Sequence, residues 1–151
     1  SIALTVTNQR GASGGWWRAL GRDAAVVEEC DRLLRQFRLD DVMDRKTAVL
    51  PYGKRRLLEI AIAIACRPRV LLLDEPVAGV PEGERQEIFE TIDAMPADVS
   101  VLLIEHDMDL VFNFARTVSV LVNGGVFAEG DVQTISHDER VKAVYLGQGH
   151  D

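Results

Sequence analysis

The sequence has no apolar run approaching the roughly 18 residues that a membrane-spanning helix needs, so any membrane role is expected to come through a partner. Cysteine is scarce, two in 151 residues, which excludes a disulfide framework. Cys30 and Cys66 each fall on a predicted apolar helix face, the usual setting of reduced, buried cytosolic thiols, and no bond between them is expected. Basic residues are in the minority, 17 against 24 acids, and the net charge of −7 argues against a general nucleic-acid binder while leaving room for a local basic patch. The three histidines do not stand with cysteines at metal-ligand spacing, which argues against zinc. Internal repeats, low-complexity tracts and linkers are missing. No signal peptide is expected, and Ser1 in place of Met reads as a trimmed or truncated start.

What is present is enough for one domain with a core, since 47% of the residues are apolar. Ile2–Val6 is too short to separate a strand from a frayed helix end. Gln9–Gly15 reads as a flexible turn, and Trp16–Trp17 as the cap of a small hydrophobic cluster. Asp23 can cap a surface helix on which Val26, Val27, Cys30, Leu33, Leu34 and Phe37 recur at helical spacing. Leu39–Met43 reads as a further short turn. Pro81 with Glu82 and Glu84 starts a helix that buries Ile88, Phe89, Ile92 and Met95. Val99–Ile104 is a strand, Asp107 caps the next helix, and Asn123–Gly124–Gly125 turns the strand Val118–Val122 into Val126–Ala128. His137–Leu146 reads as a last helix stopped by Gly147. Strands alternating with helices specify an α/β domain with a largely parallel sheet and an antiparallel hairpin near its end.

The chain is organised around Val49–Pro76. From Tyr52 to Cys66 apolar residues cover nearly the whole helix circumference, so this helix is expected inside the domain until Arg67–Pro68 ends it. Val70–Leu73 is a continuous apolar run, the pattern of a strand covered on both faces. Asp74 and Glu75 follow, at the carboxyl end of that strand, where open α/β sheets bind ligands. Taken alone, Asp74–Glu75–Pro76 reads equally as an ordinary turn. Lys54, Arg55 and Arg56 crowd the opening turn of the helix, where the dipole disfavours cations, an arrangement that suits an incoming anion. His106 follows the next apolar strand; His137 and His150 lack such context and read as surface residues.

These residues carry a resemblance. Leu50–Pro51–Tyr52–Gly53–Lys54 resembles the signature motif of ABC-transporter ATPases, Val70–Glu75 their Walker B strand, and His106 their switch-loop histidine, in the same order and spacing. The chain is similar above all to ATP-binding subunits of branched-chain amino-acid importers, through Tyr52–Gly53, Ala78–Gly79 and the ending Ala143–Val144–Tyr145–Leu146–Gly147. The resemblance spans the chain but covers only the later part of the family domain. No Gly-x-x-x-x-Gly-Lys-Ser/Thr phosphate loop occurs in residues 1–151.

The resemblance implies an incomplete P-loop NTPase (RecA-like) core with a helical subdomain: residues 1–66 mainly the subdomain and signature helix, 67–151 the Walker B, switch histidine and later core. It implies Asp74 on Mg²⁺ through water, Glu75 polarising the attacking water, and His106 sensing the γ-phosphate. Leu50–Lys54 would close in trans over ATP held by a second ATPase subunit. Permease subunits would hold the protein at the inner face of the cell membrane, on the cytoplasmic side. Pro51 stands where a phosphate-binding serine is usual, Lys54 where glutamine is, and Val80–Pro81–Glu82 where an Asn or Asp is common. Without a phosphate loop this chain alone is expected neither to bind ATP tightly nor to hydrolyse it, and an open strand edge is expected to favour self-association. The alternative is a non-catalytic interaction module derived from such an ATPase. A response-regulator receiver, in which an Asp also ends a buried strand, ranks last, since its early acid pair and late lysine have no good counterparts.

Overall fold

A computed structural model of the chain describes residues 2, 3, 6 and 24–147, without the side chains of 145–147. The Gln9–Gly15 turn, Trp16–Trp17 and the Asp23 cap lie outside the described residues. Ile2, Ala3 and Val6 are helical, which decides between the two readings of that stretch. The chain divides into two compact units, Ser1–Ile104 and Glu105–Asp151.

In the first unit, α1 (Ala24–Gln36) buries Val26 and Leu33, and Phe37 and Leu39 are buried just beyond it. Arg38 takes a left-handed φ of 52°, which lets the Leu39 N–H reach back to the Leu34 carbonyl and close the helix end. Two short 3₁₀ turns, Asp40–Val42 and Thr47–Val49, lead to α2 (Tyr52–Ala65). Leu57, Ile60, Ala61, Ile64 and Ala65 are buried at helical spacing, whereas Leu58, Ile62 and Ala63 are only half-buried. The helix is therefore enclosed on one side rather than all round. It packs against α1 and against α3 (Glu82–Asp93), which buries Ile88, Phe89 and Ile92.

Neither cysteine is in a disulfide, and neither is buried as their apolar neighbours led one to expect: Cys30 is half-buried and Cys66 exposed. Cys66 sits at the helix end, where the chain turns away through Arg67, at a φ of 52°, ahead of Pro68.

β1 (Val70–Asp74) runs parallel to β2 (Ser100–Ile104) in register from Val70 beside Ser100 to Asp74 beside Ile104. The expectation that β1 is covered on both faces is overturned. Leu71 and Leu73 are buried, but Val70 is 57% exposed and Leu72 69%, and across the ladder Leu102 and Ile104 are 57% and 56% exposed. The apolar run was read as two-sided burial because parallel strands normally have helices on both faces. Here, among the described residues, cover exists on one.

The second unit opens with α4 (Met108–Phe114), capped by Asp107, whose Oδ1 accepts from the Leu110 N–H at 3.2 Å. β3 (Thr117–Val122) and β4 (Gly125–Asp131) form the expected antiparallel hairpin, with Asn123 and Gly124 both at positive φ in its turn. α5 (Val132–His137) and α6 (Glu139–Gly147) follow. The closing helix expected over His137–Leu146 is present as Glu139–Gly147, and a short helix that the sequence reading did not anticipate, Val132–His137, precedes it. Asp131 starts the short one through the Thr134 N–H at 2.7 Å, and Asp138 breaks between them. Val118, Ile135 and Val141 form the core of this unit.

Asp138 is held in a fork by Arg140, with Oδ1 3.1 Å from Nε and Oδ2 2.7 Å from Nη2. Those hydrogen bonds, helped by the Arg140 N–H, lower its pKa from the usual 3.8 to about 2. A depressed folded value means that its contribution is present above pH 3.8 and lost as pH falls through about 2. Carbonyl-detected NMR should show Asp138 titrating near 2 and, in Arg140→Leu, moving back towards 3.8. Urea denaturation should separate the two leucine environments of the first unit. Leu57→Ala should cost about 2–5 kcal/mol, and Leu72→Ala within roughly 0.5 kcal/mol of nothing.

Candidate functional site

The signature segment enters α2 through extended backbone. Leu50 is buried with ψ 145°, and Pro51, ψ 153°, takes the cap position without a side-chain hydrogen bond. Proline fits there because the orphan amides of a helix start begin after it, but it leaves those amides to be satisfied from elsewhere. Glu84 of α3 does so: its Oε2 accepts from the Gly53 N–H at 3.0 Å.

The contact follows from local rules. Glu84 is the third residue of α3, where a glutamate ordinarily turns back to the amide of its own cap residue. That cap is Pro81, which has no N–H. The carboxylate is left to reach across to the neighbouring helix instead. Position 53 has to be glycine for this approach, because a Cβ would run into the Glu84 carboxylate.

The cations that crowd this turn are also accounted for. Lys54 Nζ lies 3.1 Å from Glu87 Oε1 and 3.5 Å from Asp41 Oδ1 and donates to the Arg38 carbonyl. Arg56 pairs with Glu59 at 2.8 Å, which raises its pKa further. Arg55 and Arg56 both lie over the Tyr52 ring, 5.3 and 5.9 Å from its centroid. The unfavourable meeting of cations with the positive helix end is thus offset by acids of α3 and of the first 3₁₀ turn.

β1 delivers Asp74 and Glu75. Asp74 is exposed, shares the open face with Val70 and Leu72, and has no hydrogen-bond or ion-pair partner for its carboxylate among the described residues. Glu75 extends the ladder by one bond, its N–H donating to the Ile104 carbonyl at 2.9 Å, and then leaves it at a φ of 42°. A left-handed glutamate costs roughly 1–2 kcal/mol and breaks the strand's alternation, so the two carboxylates diverge. The chain then turns tightly: the Ala78 N–H donates to Glu75 and the Val80 N–H to Val77. Gly79, at a φ of 73°, lies where a Cβ would come within 3.8 Å of the Tyr52 ring.

The signature and the acidic strand end are therefore brought onto one unit, with Tyr52 beside the loop that follows Pro76. His106 is exposed and belongs to the second unit, directly ahead of the Asp107 cap. Sequence reading missed Glu84 and the backbone of Glu75. A glutamate three residues after a cap proline, on a helix next to a glycine-led one, was the available signal for the first; no sequence signal marks the second.

A single exposed carboxylate oxygen donor suits Mg²⁺, which keeps most of its waters and takes one or two carboxylates beside phosphate oxygens. Among the described residues no three His, Cys, Asp or Glu are grouped to cage a metal by themselves.

The sequence pattern of the ABC transporter family matches residues 3–78. The chain is 31% identical over 132 residues to a probable branched-chain amino acid transport ATP-binding protein of Methanocaldococcus jannaschii, covering 84% of this chain and 51% of that protein. It is 37% identical over 125 residues to a high-affinity branched-chain amino acid transport ATP-binding protein of Pseudomonas aeruginosa, covering 82% and 49%. It is also 33% identical over 122 residues to a lipopolysaccharide export ATP-binding protein of Haemophilus influenzae, covering 80% and 51%. Among solved structures, an ATP-binding cassette of an ABC transporter in its ADP conformation superposes with a TM-score of 0.76 at 26% identity, over 98% of this chain and 63% of that one. The chain spans about half the length of the curated relatives it matches.

Removing the Glu84 carboxylate leaves the Gly53 amide without its acceptor. Glu84→Ala should lower stability by about 1–2 kcal/mol in urea denaturation, and Glu84→Gln, which keeps an acceptor, by less.

Proposed function

Because the chain belongs to the ABC transporter family, we propose that it supplies the later half of an ATP-binding subunit whose hydrolysis of ATP drives import, with branched-chain amino acids as the cargo. The observation that carries this is the acidic end of β1. Asp74 stands exposed, and unpaired among the described residues, at the carboxyl end of a parallel strand, and Glu75 is turned out of the ladder beside it. The same unit holds a glycine-led helix start in the signature position.

In this reading Asp74 holds Mg²⁺ through a water, and Mg²⁺ supplies charge neutralisation at the phosphates. Glu75 orients the attacking water and accepts its proton, a role suited to a carboxylate held apart from its neighbour. His106 faces the γ-phosphate, and Leu50–Lys54 meet ATP on a second ATPase subunit. Residues 1–66 act as the helical subdomain and signature helix, and residues 67–151 as the later core. Permease subunits carry the cargo and hold the protein at the inner face of the membrane; among the described residues no helix is long and apolar enough to cross it. The branched-chain cargo is supported by the names of the Methanocaldococcus and Pseudomonas relatives, while the Haemophilus relative is named for lipopolysaccharide export.

A second reading, a non-catalytic interaction module, is favoured by two features of the signature. Pro51 brings no hydroxyl, and the Gly53 amide is already engaged by Glu84.

Titration calorimetry and phosphate release separate the two. Residues 1–151 alone should give no measurable ATP binding at micromolar protein. Joined behind the preceding half of the Methanocaldococcus relative, they should hydrolyse ATP, and Glu75→Gln should lower the rate by ~10²-fold or more while leaving ATP bound. Tight ATP binding with no hydrolysis would establish the module instead.

A further inference from the structure

The Gly53 amide is the second donor of α2, one that a serine or threonine in the cap position would take up. Pro51 holds that position and has no hydroxyl, so the acceptor comes from α3: Glu84 Oε2, 3.0 Å away. Glu84 is not committed to its own helix either, since its cap residue, Pro81, has no N–H to hold it. As the third residue of α3 it also lies in the first turn, where the dipole of that helix favours an acid. One carboxylate thus stands at the starts of two helices.

The contact is close, but its surroundings are loose. Glu84 is only half-buried, and Pro81, Glu82 and Gly83 ahead of it are exposed. A Cβ placed on Gly83 would meet no atom within 4 Å. Among the described residues no Lys or Arg pairs with Glu84, because Lys54 lies on Glu87 and Asp41, and Arg56 on Glu59. The carboxylate can therefore leave the amide by turning toward solvent, without disturbing the buried Ile88 and Phe89 one turn further along α3.

We propose that Glu84 is a latch on the signature: its carboxylate occupies the Gly53 amide until a phosphate displaces it, so that α2 meets the phosphate end of a nucleotide only after the first turn of α3 has let go. This rests on the reading of Leu50–Lys54 as the segment that meets ATP on a second subunit. On that reading carboxylate and phosphate are alternative acceptors for one N–H, and an anion that takes it must first release Glu84. Glycine at position 53 serves both, because a Cβ would run into the Glu84 carboxylate and would hold off a phosphate in the same way. The consequence is a threshold, since a phosphate has to outcompete an acceptor already in place.

The test follows the Gly53 amide of the isotope-labelled chain by NMR while inorganic tripolyphosphate is added at millimolar concentration. In the wild-type chain the amide should respond weakly. In Glu84→Gln, whose neutral oxygen is the poorer acceptor, half-saturation should come at a concentration at least about tenfold lower, and in Glu84→Ala lower still. Glu84→Gln keeps an acceptor in place and so serves as the reading if Glu84→Ala does not fold. Glu90→Gln removes the same charge from the same helix, at an exposed residue that pairs with Arg38, and should behave as the wild type. An equal response in wild type and Glu84→Gln overturns the inference. So does a Glu90→Gln chain that responds as Glu84→Gln does, which would make the effect one of net charge, or no response in any of these chains. ATP hydrolysis by the chain joined to the Methanocaldococcus half, without release of the amide in Glu84→Gln, overturns the latch and leaves the functional reading. Release without hydrolysis upholds the latch and overturns the functional reading instead.

Discussion

The first unit depends on the two-residue period of one strand. β1 has five residues, and its alternation sends Leu71 and Leu73 to the interior while Val70, Leu72 and Asp74 face outward. A slip of one residue would bury the carboxylate and expose the core leucines. The register is fixed by the ladder to β2, which ends at Asp74 beside Ile104 and adds one last bond from the Glu75 amide. Beyond that bond the backbone enters the left-handed region, so alternation stops at the point where the two acids must separate. Packing and chemistry are thus set by the same few peptide units.

A second constraint concerns charge at the start of α2. Three cations follow Pro51 where the helix dipole is positive, and this would be costly without nearby acids. The structure supplies them from α3 and the first 3₁₀ turn, with Glu84 on the Gly53 amide, Glu87 and Asp41 around Lys54, and Glu59 from within α2 itself on Arg56. These contacts fasten the signature segment to the helix that follows the acidic loop. Segments about thirty residues apart in sequence are thus joined directly, the start of α2 to the start of α3 through Glu84. The engaged Gly53 amide also sets a condition on any phosphate that approaches there, since the carboxylate and the phosphate would compete for one donor.

Much of this was legible in the residues. The helix from Tyr52, the strand from Val70, the helix after Pro81, the Asp107 cap and the Asn123–Gly124 hairpin are read from apolar spacing and turn chemistry, and the structure places each within a residue or two. What was illegible falls into two kinds. Short elements escape because one turn of helix leaves almost no periodicity; Val132–His137 is announced only by Asp131 and by Val132 and Ile135 three apart. Burial escapes when the covering element is absent. Val70–Leu73 is apolar on both sides, and that composition is correct for a strand with helices on both faces, so the exposed Leu72 records an unmet requirement rather than a misread strand.

That distinction bears on how the site is understood. Among the described residues the apolar strand face is two strands wide, its outer edges are unpaired, and its end is marked by a carboxylate. Natural proteins blunt free edges with charge, proline or bulges, and β1 has none of these between Val70 and Leu73. Val70, Leu72 and Leu102 keep the pattern of strands covered on both faces, and Asp74 lies at the carboxyl end of that same face.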